Sequence, residues 1–132
     1  MILIQIDGPP VPWAAARITH RGSFSPRYKE KEMARWQIKS WYNRLDVIQG
    51  AVSLTFVFHM PIPVKTSKMK RLQMLSGVIK HTCGPDVTNM VKHAEDCLKG
   101  IVIADESQVY KINAEKIYSE TAKTVIQIVV LP

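Results

Sequence analysis

From Ala51 to His59 every second residue is a large apolar one, which puts Val52, Leu54, Phe56 and Phe58 on one side. A period of two over nine residues suits only a β-strand with one buried face. The strand therefore needs a sheet around it and a layer to cover it. MPIPV then breaks the pattern. A second alternation, with Ile2, Ile4 and Ile6 on one face, predicts a half-buried strand at residues 2–7.

The covering layer is legible in two stretches of helical period. From Tyr28 to Leu45, the residues Ala34, Ile38, Trp41, Tyr42 and Leu45 form an apolar face, ringed by Lys29, Glu32, Lys39 and Arg44. Trp36 sits off that face, which suits a dimer contact, a base-stacking platform or cover by a neighbouring loop. From Thr88 to Lys99 the apolar face is Met90, Val91, Ala94, Cys97 and Leu98. Thr88 or Asn89 is the expected N-cap and Gly100 the C′ residue. A short basic helix is expected over 66–76, closed by Gly77.

GPPVPW at 8–13 must be irregular, because its three prolines remove backbone donors and fix φ. Ala14 to Arg27, with Arg17, His20, Arg21 and Arg27, reads as a loop. Gln108–Tyr118 and Lys123–Leu131 are rich in β-branched residues and separated only by SETA, the pattern of a closing antiparallel hairpin. The order predicts one α+β domain over 1–132: a mixed β-sheet with helices packed on one face. There are no repeats, low-complexity tracts or long linkers, and 132 residues suit a single core.

The charge is +7, and its distribution says more than its sum. No acid lies between Asp46 and Asp86, a gap that holds Lys65, Lys68, Lys70, Arg71 and Lys80. Five of the eleven acids (Asp86, Glu95, Asp96, Asp105 and Glu106) then fall within 21 residues. A basic field attracts nucleic acid or an anionic surface, or merely keeps the chain soluble. No strongly amphipathic basic helix and no apolar run of bilayer length favour a membrane. MILIQI lacks a basic flank and is followed by Asp7 and Pro9, so it reads as a strand and not a signal peptide. With no secretion signal, the two cysteines are expected to stay reduced.

The chemistry gathers between Lys80 and Val109. Asp86 precedes the second long helix, Lys92 projects from its polar side, and Asp105–Glu106 follow its end. Carboxylates that converge on a divalent cation beside a lysine suit phosphodiester cleavage. A helix N-terminus there would stabilise negative charge. On a strand, only one of Asp105 and Glu106 would face the cation, leaving the other to cap. Taken singly, Asp86 fits an Asx turn after Pro85, Asp105–Glu106 a solvated turn, and Lys92–Asp96 an ordinary i, i+4 surface pair.

PDVTN at 85–89, Lys92, DCLKG at 96–100 and DESQV at 105–109 resemble the RusA family of Holliday junction resolvases. GPPVPW and the basic KHT before the motif also resemble it, so the likeness covers most of the chain. The resemblance implies a homodimeric endodeoxyribonuclease that recognises four-way DNA junctions by structure. It would nick symmetric strands with Mg²⁺ or Mn²⁺, leaving 5′-phosphates, with no small-molecule cofactor, in the cytoplasm of a bacterial or phage-infected cell. By position Asp86 and Glu106 match the family's catalytic acids, Asp105 is the neighbouring acid, Lys92 matches its lysine and Asn89 its asparagine. Thr88 stands where the fullest motif has a second aspartate. Its hydroxyl can hold a metal-bound water but brings no charge, so either Asp96 or Asp105 compensates, or fewer ligands serve, or activity falls.

On charge alone, Arg17, Arg21, Arg27, Lys68, Lys70, Arg71 and Lys80 are the candidates for gripping the DNA backbone. Two rival readings remain. One is a non-catalytic junction-binding protein of the same fold, its metal site weakened at Thr88. The other is a zinc-stabilised adaptor built on His81, Cys83, His93 and Cys97. Against zinc, His–x–Cys is tight for a knuckle, and Cys97 lies on the apolar helix face while His93 points toward the other side.

Overall fold

The computed structural model describes residues 1–24 and 26–132. Its main sheet has four strands in the order β1–β6–β4–β5, with β1 at Ile2–Asp7, β4 at Val52–Pro61, β5 at Val109–Ser119 and β6 at Lys123–Val130. The strand expected at Ala51–His59 lies in the interior of the sheet. Val52, Leu54, Phe56, Phe58 and Met60 of β4 are all buried, and the Phe56 and Phe58 rings lie 5.7 Å apart. Their alternates Ser53, Thr55, Val57 and His59 line a half-buried opposite face.

Two helices cover the inner face: α1 at Tyr28–Tyr42 and α3 at Val87–Leu98. Ala34, Ile38 and Tyr42 of α1 and Met90, Ala94, Cys97 and Leu98 of α3 share one core with β4, Ile4, Ile126 and Ile128. Burying each large apolar side chain contributes about 1.5–3 kcal/mol, so this interlayer carries the fold. The shorter α2, at Lys68–Leu75, is capped by Ser67, whose hydroxyl accepts from the Lys70 amide at 3.3 Å. It leans on β5, with Arg71 paired to Glu120 at 3.2 Å.

Several details differ from the sequence-based expectation. α1 stops at Tyr42, because Asn43 adopts left-handed geometry (φ 46°) and its amide returns to the Lys39 carbonyl at 2.9 Å. Leu45 is consequently fully exposed, and Trp41, still within α1, is half-exposed. The N-cap of α3 is Asp86, not Thr88 or Asn89. The region 14–27 is not all loop: Arg17–Thr19 (β2) and Gly22–Phe24 (β3) form a small antiparallel hairpin, and Ser25 lies outside the described residues. β4 runs two residues past His59.

The largest difference is in the last two strands. β5 and β6 are not paired with each other. Both pair with β4, β5 parallel and β6 antiparallel, so β4 lies between them. A link from Ser119 to Lys123 reaches about 13 Å, enough to cross two inter-strand spacings of about 5 Å. Burial decides the order. Ile126 and Ile128 need an interior position, while the polar tract from Lys111 to Glu115 is exposed along its length and suits an edge.

Candidate active site

The chemistry-bearing residues are distributed along α3. At its start, Asp86 has extended geometry (φ −81°, ψ 153°), yet its side chain makes no capping hydrogen bond. An N-cap aspartate ordinarily takes an amide of the first turn. Here the carboxylate stays exposed and uncommitted at the positive end of a helix. The loop before it, which includes a cis Gly84–Pro85 peptide, is held by Lys116 of β5. The Lys116 ammonium donates to the carbonyls of Cys83 at 2.6 Å and Pro85 at 2.9 Å.

Thr88, Lys92, Glu95 and Lys99 follow one another at intervals of four, three and four, so they share one face of α3. Lys92 is exposed and forms no ion pair with Asp96 or any other described carboxylate. Its ammonium instead lies 3.5 Å from the centroid of the Trp13 ring. The Trp13 amide donates to the Asn89 carbonyl at 2.9 Å, which fastens the GPPVPW segment to the first turn of the helix.

At the other end, Arg35 of α1 donates to the carbonyls of Cys97 (3.2 Å) and Lys99 (2.7 Å), closing the helix before Gly100 turns at φ 84°. Asp105 and Glu106 open a single 3₁₀ turn and not a strand, so both carboxylates can converge. Both reach the Lys99 ammonium, at 3.2 and 3.3 Å. Asp105 also caps this turn through the Ser107 amide at 3.0 Å. Gln108 locks it by accepting from the Ala104 and Asp105 amides and donating to the carbonyls of Ile48 and Gly50. Bonds from Ser107, then the ammonium of Lys99, hold the Asp105 carboxyl well below the usual carboxylate range. Glu95, half-buried one turn before Lys99, is pushed the other way by burial and by the nearby charges of Glu106 and Asp96.

The donor chemistry suits a hard divalent cation: carboxylate oxygens, two of which already grip one cationic centre. Their number within one chain falls short. No three His, Cys, Asp or Glu side chains gather to hold a metal ion among the described residues. Asp86 and Thr88 begin a 12-residue helix, about 18 Å long, whose far end carries the Asp105–Glu106 pair. The structure thus brings Asp105 and Glu106 together and leaves Asp86, Thr88 and Lys92 as a second group.

The zinc quartet forms two separate pairs. His81 Nε2 lies 3.7 Å from Cys83 Sγ, and His93 Nε2 lies 3.6 Å from Cys97 Sγ. His93 is buried, not turned outward, because α1 closes over that side of α3. Burial pushes the Cys97 thiol up to about 12 and lowers the His93 pKa, so both are neutral core groups.

Among the basic candidates, Arg17 and Arg21 project from the β2–β3 hairpin, and Lys68, Lys70 and Lys80 are exposed around α2. Arg27 and Arg71 are engaged with Glu30 (3.5 Å) and Glu120 (3.2 Å). Trp36 is 68% exposed, so no neighbouring loop covers it. Trp13, Glu95, Lys99, Arg35, Lys116 and Gln108 were not identified as site residues from sequence. The regular spacing of Lys92, Glu95 and Lys99 was the available signal for two of them and the capping-box spacing from Asp105 the signal for Gln108, whereas Trp13, Arg35 and Lys116 reach the site through tertiary contacts. No helix is long and apolar enough to cross a membrane among the described residues.

Comparison with known proteins places the chain in a family. Residues 7–129 match the family model described as endodeoxyribonuclease RusA. An uncharacterized protein of Bacillus subtilis (strain 168), YqaN, is 34% identical over 84 residues, which cover 62% of this chain. The match spans 59% of the length of that relative. With the family model covering nearly the whole chain, including all of α3, the protein belongs to the RusA endodeoxyribonuclease family.

Proposed function

We propose that this chain is a metal-dependent endodeoxyribonuclease that binds four-way DNA junctions and resolves them by symmetric nicking, acting in recombination and repair. The observation that carries the reading is the pair of free groups at the start of α3: an N-cap Asp86 that caps nothing and a Lys92 with no carboxylate partner. A helix terminus, an uncommitted acid and an available ammonium form a phosphate-binding locus with a charge ready for a cation. A bound Mg²⁺ or Mn²⁺ would supply Lewis-acid polarisation at that phosphate. Asp86 and Glu106, supported by Asp105 and Thr88, are the residues that would hold it. Lys92 neutralises a phosphoryl oxygen, while Arg17, Arg21, Arg27, Lys68, Lys70, Arg71 and Lys80 contact the backbone.

The length of α3 gives the proposed homodimer a specific role. One chain keeps Asp86 and Glu106 at opposite ends of the helix. A second copy that brings its α3 start to the Asp105–Glu106 pair unites the two loci and creates two equivalent centres, one for each nick. The cellular setting in this reading is the cytoplasm of a bacterial or phage-infected cell.

A second reading is a junction-binding protein without nuclease activity. Thr88 in place of a carboxylate and Lys99 seated on Asp105 and Glu106 favour it. Purified protein on a synthetic four-way junction, with linear duplex as control and with Mg²⁺, Mn²⁺ or chelator, separates the two. Metal-dependent paired nicks that vanish in Asp86→Asn establish the nuclease. Tight junction binding without nicks under either metal establishes the binder.

A further inference from the structure

We infer that Trp13 is a positioning residue for Lys92: its indole face holds the ammonium over the start of α3, where the scissile phosphate docks in the reading proposed above. Three observations converge on this. The Lys92 ammonium sits 3.5 Å from the ring centroid, well inside the range of a strong cation–π contact, and indole has the strongest face of any side chain. The backbone that carries the ring is anchored, because the Trp13 amide is bonded to the Asn89 carbonyl at 2.9 Å, three residues before Lys92 on the same helix. Pro9, Pro10 and Pro12 stiffen the approach, and Pro10 is buried.

The contrast with the neighbouring lysines gives the contact its meaning. Lys99 is neutralised by Asp105 and Glu106, and Lys116 is spent on two backbone carbonyls. A carboxylate partner at Lys92 would cancel the charge needed for a phosphoryl oxygen. An aromatic face fixes the ammonium and leaves its full charge, with donors pointing away from the ring. Lysine has a long flexible stem whose ordering is costly, so advance placement lowers the barrier without adding a contact to the DNA.

The test combines a position readout with kinetics. In proton NMR of the full-length protein, the Lys92 ε-methylene signal should carry the ring-current shift of Trp13. It should lose the shift in Trp13→Leu and keep most of it in Trp13→Phe. On a four-way junction with Mn²⁺, Trp13→Leu should lower kcat about tenfold with KM and junction affinity unchanged, and Trp13→Phe should restore most of it. Thermal melting of both variants separates this from a general loss of packing. Trp13→Phe behaving like Trp13→Leu, or a fall in junction affinity with kcat intact, would overturn the inference and make Trp13 a packing residue or a DNA contact. If the wild-type chain nicks no junction, the nuclease reading fails by itself. The ring-current comparison then still decides whether Trp13 places the ammonium.

Discussion

Lys116 ties the end of β5 to Pro85, its ammonium 2.9 Å from that carbonyl and 2.6 Å from the carbonyl of Cys83. The edge strand therefore fixes the loop that presents Asp86, from 30 residues downstream. Two charge-assisted bonds at a partly exposed site are worth about 1–2 kcal/mol together. Lys116→Met keeps the stem and removes both. It should lower the melting temperature by a few degrees. Nicking should fall more than stability does, because the loop bearing Asp86 loses its anchor. A variant that melts early but nicks normally when folded would show that Lys116 serves only stability.

Lys99 occupies the place where a cation would sit between Asp105 and Glu106. An ammonium and a divalent cation compete for the same oxygens, and removing one charge also removes its repulsion of the other. Lys99→Met should therefore lower the Mn²⁺ concentration at half-maximal binding by about threefold or more, read by titration calorimetry without DNA. Weaker metal binding would instead make Lys99 the organiser of the pair.

The sequence made the interior legible and left the connections obscure. Val52, Leu54, Phe56 and Phe58 announce their burial by alternation, and Met90, Ala94, Cys97 and Leu98 by helical spacing, because burial imposes a period on local sequence. The strand order does not obey a local rule. A three-residue link between β5 and β6 reads as a hairpin, and only competition for the places beside β4 separates them. The end of α1 was written in Asn43, but Leu45 continues the apolar spacing and masks the signal. Asp86, Lys92, Asp105 and Glu106 were readable as chemistry. Their division between the two ends of α3 follows from helix length once the boundaries are fixed. Two partners that restrain them, Trp13 and Lys116, come from distant segments where no spacing points to them, whereas Gln108 stands three residues after Asp105 in a capping box that local spacing does signal.

The two cysteines should behave as opposites. Cys83 is exposed, whereas Cys97 is buried and its thiol is raised from 9.0 to about 12. At pH 8 a thiol reagent should titrate one cysteine in the native protein and the second only on unfolding. The folded state keeps the Cys97 proton after the unfolded chain has released it. Stability should consequently fall as pH rises through the window from 9 to 12, by about 1.4 kcal/mol per unit for this group alone. Urea melts of wild type and Cys97→Ala across that range isolate the effect, since the variant lacks this slope. Equal slopes would mean that Cys97 does not govern the alkaline limit.

Separation of Asp86 from Glu106 by the length of α3 allows a decisive subunit-mixing experiment. Asp86→Asn and Glu106→Gln should each abolish nicking alone. If each centre takes Asp86 from one protomer and Glu106 from its partner, a mixed dimer has one centre lacking both acids and one intact. Co-refolded equimolar variants form mixed dimers as about half of the population, by random pairing of equivalent C₂ interfaces. Each carries one working centre, so single nicks should appear at up to about a quarter of the wild-type number of active centres. If both acids of a centre come from the same protomer, every centre in every dimer lacks one acid, and the mixture stays inactive. Junction affinity of the mixture should match that of either variant, which keeps DNA binding out of the comparison. Recovered single nicks would place the catalytic centre across the dimer, and an inactive mixture that still binds junctions would confine it to one chain.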